Sequence, residues 1–184
     1  MGYLCGIDEA GRGPLAGDLV MAGCVLENSI EGLHDSKKLT AKKRAYLYEQ
    51  ICKHAKAYHI VRFSPQTIDE KGISYCLQAG LKEIMQAIDA SEYLFDGNTT
   101  FGIHNLNCMI KADGKIPEVS AASILAKVTH DKELLEQAKE YPHYHFEKHK
   151  GYGTKLHIQK IQEFGYTPLH RRSYKVKALQ PTLF

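Results

Sequence analysis

The chain has 184 residues, 43% of them hydrophobic and 24% charged, with a formal net charge of +3, which predicts one globular domain with a real hydrophobic core. No apolar run approaches the ~20 residues that span a bilayer, and the first residues lack the basic flank and long apolar stretch of a signal peptide. These features argue against a membrane protein and lead us to expect a cytoplasmic one.

The N-terminal part is predicted to be rich in strands. The apolar runs Tyr3–Ile7 and Leu19–Leu26 predict two strands, which flank a glycine- and proline-rich turn at Gly11–Gly17. Thr40 is a suitable N-cap for a helix that runs to about Ala57. The alternating segment Tyr58–Phe63 then predicts a third strand.

Helices are predicted to dominate the remainder, interrupted by two short strands. The apolar stripe of Ser74–Asp89 is typical of an amphipathic helix, and Tyr93–Phe95 and Leu106–Ile110 are predicted strands. Further helices are predicted to begin at Ser64-Pro65, at Pro117 and at Thr154, the last ending at Phe164. Strands with interleaved helices predict an α/β domain around a mixed sheet.

Four acids stand out against this pattern. Asp8 and Glu9 follow the first predicted strand, Asp96 follows the fourth, and Asp113 precedes the helix at Pro117. A turn-forming role explains each acid about equally well when it is taken singly. Several carboxylates brought together repel one another, and hard divalent cations such as Mg²⁺ remove that penalty. Two such ions support phosphodiester hydrolysis, although the spacing alone does not show that the four acids converge.

Other interpretations of the polar residues are weaker. The GxG of the Gly11–Gly17 turn resembles a dinucleotide-binding loop, and hence an oxidoreductase, but Pro14 removes an amide and no clear helix follows. Five scattered cysteines without a CxxC spacing argue against a zinc site and a disulfide framework. Ten histidines, among them His143, His145 and His149, match no ligand spacing cleanly. Basic residues in Lys37–Arg44 and Lys148–Lys177 indicate a polyanion-binding surface, or equally well the solvated faces of helices.

Six ordered segments resemble the ribonuclease HII family over nearly the whole chain. They are GIDEAGRGPLAG at Gly6–Gly17, DSKKLT at Asp35–Thr40, FDG at Phe95–Gly97, KADGKIPEVSAASILAKVTHD at Lys111–Asp131, HKGYGTKLH at His149–His157 and HRRSY at His170–Tyr174. The resemblance implies an RNase H-like fold over residues 1–184. Within it, residues from about 140 to 176 would form a helical, basic, substrate-binding part, and residues 177–184 a tail.

The resemblance also implies an activity and its machinery. Asp8, Glu9, Asp96 and Asp113 match the four acids that hold two Mg²⁺ or Mn²⁺ ions. The implied reaction is hydrolysis of the RNA strand of RNA–DNA hybrids, including cleavage 5′ of single ribonucleotides in duplex DNA, leaving 3′-hydroxyl and 5′-phosphate ends. The implied roles are ribonucleotide excision and primer removal during DNA replication.

Substrate contacts follow from the same motifs. Gly11, Arg12 and Gly13 match the turn that contacts the ribose 2′-hydroxyl, the group that distinguishes RNA from DNA, and glycines allow the close backbone approach that this requires. Tyr152 matches a tyrosine that packs on the sugar just 3′ of the ribonucleotide. Lys37 and Lys38 fit phosphate contacts, while His170–Arg172 fit either a clamp on the nucleic-acid backbone or ion pairs with acids within the fold.

The C-terminal residues suggest a protein partner. Gln180, Leu183 and Phe184 match the Q-x-x-L-F peptide by which bacterial replication proteins bind the sliding clamp, with two apolar anchors on an extended segment. Otherwise we expect a monomer.

Two rival functions remain within the resemblance. A type 3 ribonuclease H adds an N-terminal substrate-binding domain, for which a first strand near residue 3 leaves no room. A catalytically silent hybrid-binding module would lack acids, whereas all four are present. The chain departs from the family pattern at Asp18, usually apolar or proline, and at His130, usually arginine, while Asp131 is expected to form a structural pair or cap.

Overall fold

Five strands form one mixed sheet in the order β3-β2-β1-β4-β5. The computed structural model describes residues 2–33 and 39–179, so the predicted contacts of Lys37 and Lys38 and of the tail residues Gln180, Leu183 and Phe184 lie outside it. The strands are β1 (Leu4–Ala10), β2 (Leu19–Val25), β3 (Ala57–Phe63), β4 (Glu92–Asp96) and β5 (Leu106–Met109). β1 is antiparallel to β2 and parallel to β4, which places it at the centre of the sheet.

The first strand is longer than its sequence predicts. Asp8 and Glu9 lie inside β1, because pairing with β2 continues through the residue pair Ala10 and Val20. The prediction that these acids follow the strand end was therefore wrong. Acids are poor strand formers on their own, but the ladder to a fully buried neighbour outweighs that local preference.

Three of the helices begin directly after the capping residues that the sequence predicts. The helices are α1 (Ala41–His54), α2 (Pro65–Lys71), α3 (Ile73–Ala87), α4 (Pro117–Gln137), α5 (Phe146–His149) and α6 (Lys155–Phe164). The side chains of Thr40, Ser64 and Thr154 each accept a hydrogen bond from a backbone N–H in the first turn of α1, α2 and α6. α1 ends before the predicted Ala57, because that residue already belongs to β3.

The sheet is covered on both faces. Ile7, Met21 and Phe95 pack with α3 on one face, while Val20 and Ala22 pack with α1 and α4 on the other. Helix α4 crosses β1 at Gly6, where an added Cβ would lie 2.2 Å from the backbone nitrogen of Val119. Absence of a side chain there lets α4 lie directly on the central strand.

A third cluster joins the C-terminal part to the turn after β1. Leu15 and Ala16 of that turn pack with Leu134 from the end of α4 and with Tyr144 and Phe146 further along the chain. The predicted mixed sheet with flanking helices and a helical C-terminal part is confirmed.

Candidate active site

Three of the four predicted acids converge at the centre of the sheet. Asp8 and Asp96 follow the paired residues Ile7 and Phe95 on the parallel strands β1 and β4, so strand register brings them together. Asp113 joins them from a 3₁₀ turn, Ala112–Gly114, just before α4. Carboxylate oxygens of these three residues, the acid cluster, all lie within 4.8 Å of one another.

Two backbone N–H groups hold the carboxylate of Asp96 in the acid cluster. The N–H of Lys111 donates to Asp96 Oδ1 over 2.9 Å, and the N–H of Asp113 donates to Asp96 Oδ2 over 3.3 Å. Lys111 adopts a left-handed conformation (φ 58°), which starts the 3₁₀ turn and directs these amides toward β4. The turn therefore positions Asp113 and Asp96 together.

Glu9 lies beside the acid cluster without belonging to its compact group. One of its oxygens, Oε2, is buried and has no hydrogen-bond partner among the residues that the structure describes. The other, Oε1, lies 3.8 Å from Arg12 Nη1. A buried carboxylate oxygen without a donor is costly, so this atom calls for a cation or donor from outside the chain.

The pKa values of Asp8, Glu9 and Asp96 are all raised. Burial, followed by the charges of Glu9 and Asp96, raises the pKa of Asp8 well above its usual value, although Ser123 donates a hydrogen bond to it. Burial raises the pKa of Glu9 to about 7, against the opposing charge of Arg12. Burial also raises the pKa of Asp96. Grouped carboxylates that resist ionisation favour a bound cation.

The acid cluster fits a divalent metal. Its donors are all carboxylate oxygens, the ligands that Mg²⁺ and Mn²⁺ prefer, and the unpartnered Glu9 oxygen lies next to them. In the part of the chain that the structure describes, no other group of three or more His, Cys, Asp or Glu side chains comes this close together. The weak histidine metal hypothesis therefore gains no support from residues 2–33 and 39–179.

The acids face an open cleft of about 510 Å³. Its lining includes Gly11, Arg12 and Gly13 from the turn after β1, and Tyr152 from the loop before α6. Three of the predicted metal ligands, Asp8, Glu9 and Asp96, thus line one cleft together with the predicted substrate contacts that the structure describes.

Two glycines of the turn differ in what the fold requires. Gly11 has φ +87°, and a Cβ there would lie 2.4 Å from the Asp18 carbonyl oxygen, so the backbone itself demands glycine. Gly13 has neither constraint, since the nearest atom to an added Cβ is Tyr152 Cε1 at 3.9 Å. A side chain at Gly13 would project into the space beside the Tyr152 ring.

Known proteins match this chain over nearly its whole length. The family model for ribonuclease HII matches residues 5–177. Ribonuclease HII of Sulfurovum sp. (strain NBC37-1) is 60% identical over 182 residues, covering 98% of this chain and 96% of the relative. The chain belongs to the ribonuclease HII family. It is therefore an endonuclease of the ribonuclease H type, and the silent binding module is not favoured.

Further relatives fit this family. Ribonuclease HII of Aliarcobacter butzleri (strain RM4018) is 54% identical, with 97% of this chain and 94% of the relative covered. In the structure of the PCNA:RNase HII complex from Archaeoglobus fulgidus, the matched chain has a TM-score of 0.83 and 27% identity, with 98% of each chain covered. Across residues 2–33 and 39–179, no helix is long and apolar enough to cross a membrane.

Arg171 fixes the glycine turn, Gly11–Gly17, through hydrogen bonds to its backbone. Its buried guanidinium donates to the carbonyl oxygen of Gly17 from Nε (3.0 Å) and Nη2 (2.7 Å), and to that of Arg12 from Nη1 (3.3 Å). Tyr174 donates its hydroxyl proton to the same Arg12 carbonyl over 2.7 Å. Arg171 thus binds protein carbonyl oxygens, a role that differs from both hypotheses for the HRR motif, a clamp on the nucleic-acid backbone and ion pairs within the fold.

Backbone hydrogen bonds tie the glycine turn and the Tyr152 loop, residues 150–154, into one unit. Leu15 N–H donates to the Gly151 carbonyl, Gly17 N–H to Leu169, and Arg171 N–H to Leu15, each over 2.8 Å. The two loops that border the cleft therefore share the same C-terminal support.

Arg44, from the basic segment Lys37–Arg44, lines the cleft together with two polar residues that the sequence did not predict there, Ser123 and Lys127. Ser123 and Lys127 are four residues apart and share one face of α4. Lys127 Nζ lies 6.0 Å from the centroid of the Tyr152 ring. The four-residue spacing of Ser123 and Lys127 would have indicated both residues once Asp113 had placed the N-terminus of α4 at the site.

The remaining acids and the family departures lie away from the acid cluster. Asp131 pairs with Lys127 Nζ and His130 Nδ1, both at 2.9 Å, which confirms its expected structural role. His130 is buried beneath the glycine turn, where its ring would meet a Cβ at Gly11. Asp18 begins no strand of its own and precedes Leu19 of β2.

Proposed function

We propose that the protein hydrolyses the RNA strand of RNA–DNA hybrids and cuts 5′ of single ribonucleotides embedded in duplex DNA, leaving 3′-hydroxyl and 5′-phosphate ends. One observation carries the proposal. Asp8, Glu9 and Asp96 line the same cleft as Gly11–Gly13 and Tyr152, so the groups proposed to cleave and the groups proposed to contact the sugar face one substrate. Family membership supports the reaction class.

Asp8, Asp96 and Asp113, with Glu9 beside them, are the residues that would hold Mg²⁺ or Mn²⁺. Two divalent cations at such a site supply an activated water for attack on phosphorus and charge compensation for the leaving oxygen. The protein's own part is to hold these carboxylates in position. Backbone amides from Lys111 and Asp113 do this for Asp96.

Cations along the cleft favour a polyanionic substrate. Arg12, Arg44 and Lys127 line it beside the acids, and each can neutralise a phosphate of the bound duplex. Lys37 and Lys38, outside the described residues, are proposed to extend this phosphate track. The basic C-terminal part, about residues 140–176, is proposed to carry the rest of the substrate surface.

Discrimination of RNA from DNA is proposed to rest on Gly13 and Tyr152. A ribose differs from a deoxyribose by one 2′-hydroxyl, and sensing it through backbone groups requires a residue without a side chain at the contact. Gly13 leaves that space open although nothing in the fold forbids a Cβ there. Tyr152, 45% exposed, offers its ring as a surface for the adjoining sugar.

The decisive test uses an end-labelled DNA duplex with a single ribonucleotide, incubated with Mg²⁺ or Mn²⁺. We expect incision 5′ of the ribonucleotide by the wild type, and none by Asp96→Asn or on an all-DNA duplex. Cleavage of a long hybrid without incision at the single ribonucleotide would refute the roles of Gly13 and Tyr152. No cleavage of either substrate with either metal would refute the activity itself.

A cytoplasmic role in ribonucleotide excision and DNA replication, performed by a monomer, is proposed on the same basis. The Archaeoglobus fulgidus relative was solved as a complex with PCNA, and Gln180, Leu183 and Phe184 are proposed to bind the sliding clamp here. Clamp pulldown should be lost when residues 180–184 are deleted. Unchanged pulldown would dispose of the motif.

A further inference from the structure

Three buried histidines lie behind the Tyr152 loop. His149, His157 and His170 are 5%, 0% and 2% exposed and surround the ring of Phe146. The rings of His149 and His157 are stacked, with centroids 4.2 Å apart. Both ring nitrogens of His157 and of His170 have hydrogen-bond partners, and these partners restrict where each proton can be.

The proton of His170 is located by a backbone amide. Thr167 N–H points at His170 Nδ1 over 2.9 Å, and an amide can only donate, so this nitrogen carries no proton. The Thr167 hydroxyl lies 2.9 Å from the same nitrogen and accepts from Leu169 N–H, which leaves its own proton free to point there too. A neutral His170 therefore carries its proton on Nε2.

That proton determines the state of His157. The two Nε2 atoms are 3.0 Å apart, so one donates and the other accepts. Because His170 holds the donor, His157 Nε2 must accept, and the proton of His157 lies on Nδ1. His157 Nδ1 is 2.9 Å from the carbonyl oxygen of Tyr152, which can only accept.

The neutral form of both rings agrees with their surroundings. Burial, followed by the neighbouring His149, lowers the pKa of His157 to about 4. Burial, followed by His157, lowers the pKa of His170 to about 4. A second proton on His157 would put two N–H groups face to face across the 3.0 Å contact. A second proton on His170 would lie on Nδ1 and face the N–H of Thr167.

The relay ends on a residue whose side chain borders the cleft. The Tyr152 carbonyl receives a second bond from Thr154 N–H (2.8 Å), and the Tyr152 N–H donates to the His149 carbonyl (2.9 Å). Both peptide groups of Tyr152 are thereby fixed, and with them the direction in which the half-exposed ring leaves the backbone.

We propose that His157 and His170 are positioning residues, which hold Tyr152 against the substrate sugar through a one-way hydrogen-bond relay from Thr167 to the Tyr152 carbonyl. The proposal rests on the proposed function, because it takes Tyr152 as a substrate contact. It assigns a definite tautomer to each ring: Nδ1–H for His157 and Nε2–H for His170.

The tautomers are tested without activity. Imidazole ¹⁵N shifts of the full-length protein at pH 7 should show His157 protonated on Nδ1 alone and His170 on Nε2 alone. An Nε2–H tautomer or a cation at His157 would overturn the relay. His145, a partly exposed histidine outside the relay, serves as an internal reference.

Two variants of nearly equal size separate positioning from packing. In His157→Asn the amide NH₂ takes the place of Nδ1–H, whereas His157→Leu has a similar shape and no donor. We expect Asn to keep a near-wild-type KM for the single-ribonucleotide duplex, and Leu to raise it roughly tenfold with kcat little changed. A packing role predicts the reverse order, since a buried Leu is stabilising and a buried amide is not.

The outcomes are distinguishable from failure of the proposed function. Wild-type protein that cleaves neither substrate refutes both proposals. An active wild type with equal KM in Asn and Leu overturns the positioning role alone. Unchanged KM in Tyr152→Ala overturns the positioning role together with the proposed sugar contact of Tyr152, while the cleavage activity stands. The expected result is a raised KM in Tyr152→Ala and His157→Leu only.

Discussion

Asp8 and Asp96 are placed by the register of two parallel strands, whereas the glycine turn and the Tyr152 loop are placed by side chains from the C-terminal part. In the first region the sheet backbone positions acids that repel one another and oppose their own burial. In the second, buried Arg171, His157 and His170 donate to each other or to backbone carbonyls. The catalytic and the recognition halves of the cleft should therefore respond differently to substitution.

Asp8→Asn should give the largest effect on activity and the smallest on folding. Loss of one charge from the acid cluster is expected to reduce cleavage by roughly 10³-fold or more. Without divalent metal the variant should unfold at the same temperature as wild type or higher, because repulsion from Glu9 and Asp96 is relieved. Thermal unfolding with and without Mn²⁺, beside a cleavage assay, checks both points.

The matched control for that experiment is Asp89→Asn, an exposed acid that does not line the cleft. It should retain full activity and the stabilisation that wild type gains from Mn²⁺. A large loss of stability in metal-free Asp8→Asn would contradict the idea that the acid cluster opposes folding.

Arg171→Met should affect folding more than any substitution in the acid cluster. It removes the donors to the carbonyl oxygens of Gly17 and Arg12 and is expected to lower the free energy of unfolding by about 3 kcal/mol. Tyr174→Phe, which removes one donor to Arg12 and keeps the ring, should cost about 1 kcal/mol. Urea denaturation measures both, and equal losses would argue against a clamp centred on Arg171.

Gly11 and Gly13 allow effects on folding and on substrate recognition to be compared within one loop. Gly11→Ala should lower the free energy of unfolding by about 2 kcal/mol, because of its positive φ and the blocked Cβ. Gly13→Ala should leave stability unchanged within about 0.5 kcal/mol and still impair incision at a single ribonucleotide. Full activity of Gly13→Ala would remove that residue from the proposed 2′-hydroxyl contact.

The histidine relay should give an effect on stability that depends on pH and is absent at neutral pH. The pKa of His157 is about 4 when folded and 6.5 ordinarily, so below pH 6.5 the unfolded chain binds a proton that the folded chain refuses. Its stability contribution is complete above pH 6.5 and is lost as the pH falls toward 4. Wild type should lose up to about 1.4 kcal/mol per pH unit relative to His157→Asn over that window.

Paired denaturation curves of these two proteins between pH 7 and 4 provide the measurement. The difference cancels titration of the carboxyl groups common to both, including Glu9, whose raised pKa acts in the opposite direction. A pH-independent difference would show that His157 is not held neutral.

Local sequence signals predicted the helix starts well. Thr40, Ser64 and Thr154 are polar caps whose bonds form within four residues, so no distant partner is needed to specify them. The end of β1 was missed because only its pairing with β2 keeps Asp8 and Glu9 in the strand.

The candidate site was predictable where a motif exists and obscure where partners are distant in sequence. Family motifs indicated Asp8, Asp96 and Asp113 before their convergence was visible. The clamp of Arg171 joins residues 154 apart, and its acceptors are carbonyl oxygens that every residue possesses. No pattern of side chains along the chain can report such a bond.

Because its anchors are main-chain carbonyl oxygens, the glycine turn can accept changes of side chain. Arg171 and Tyr174 grip main-chain oxygens of Arg12 and Gly17, so the anchor is indifferent to the side chain at position 12. Exposed Arg12 can be exchanged for residues that suit other sugars or phosphates while the loop keeps its shape. Variation at position 12 can thus accumulate without moving the backbone of the turn, while the charge beside Glu9 changes with it.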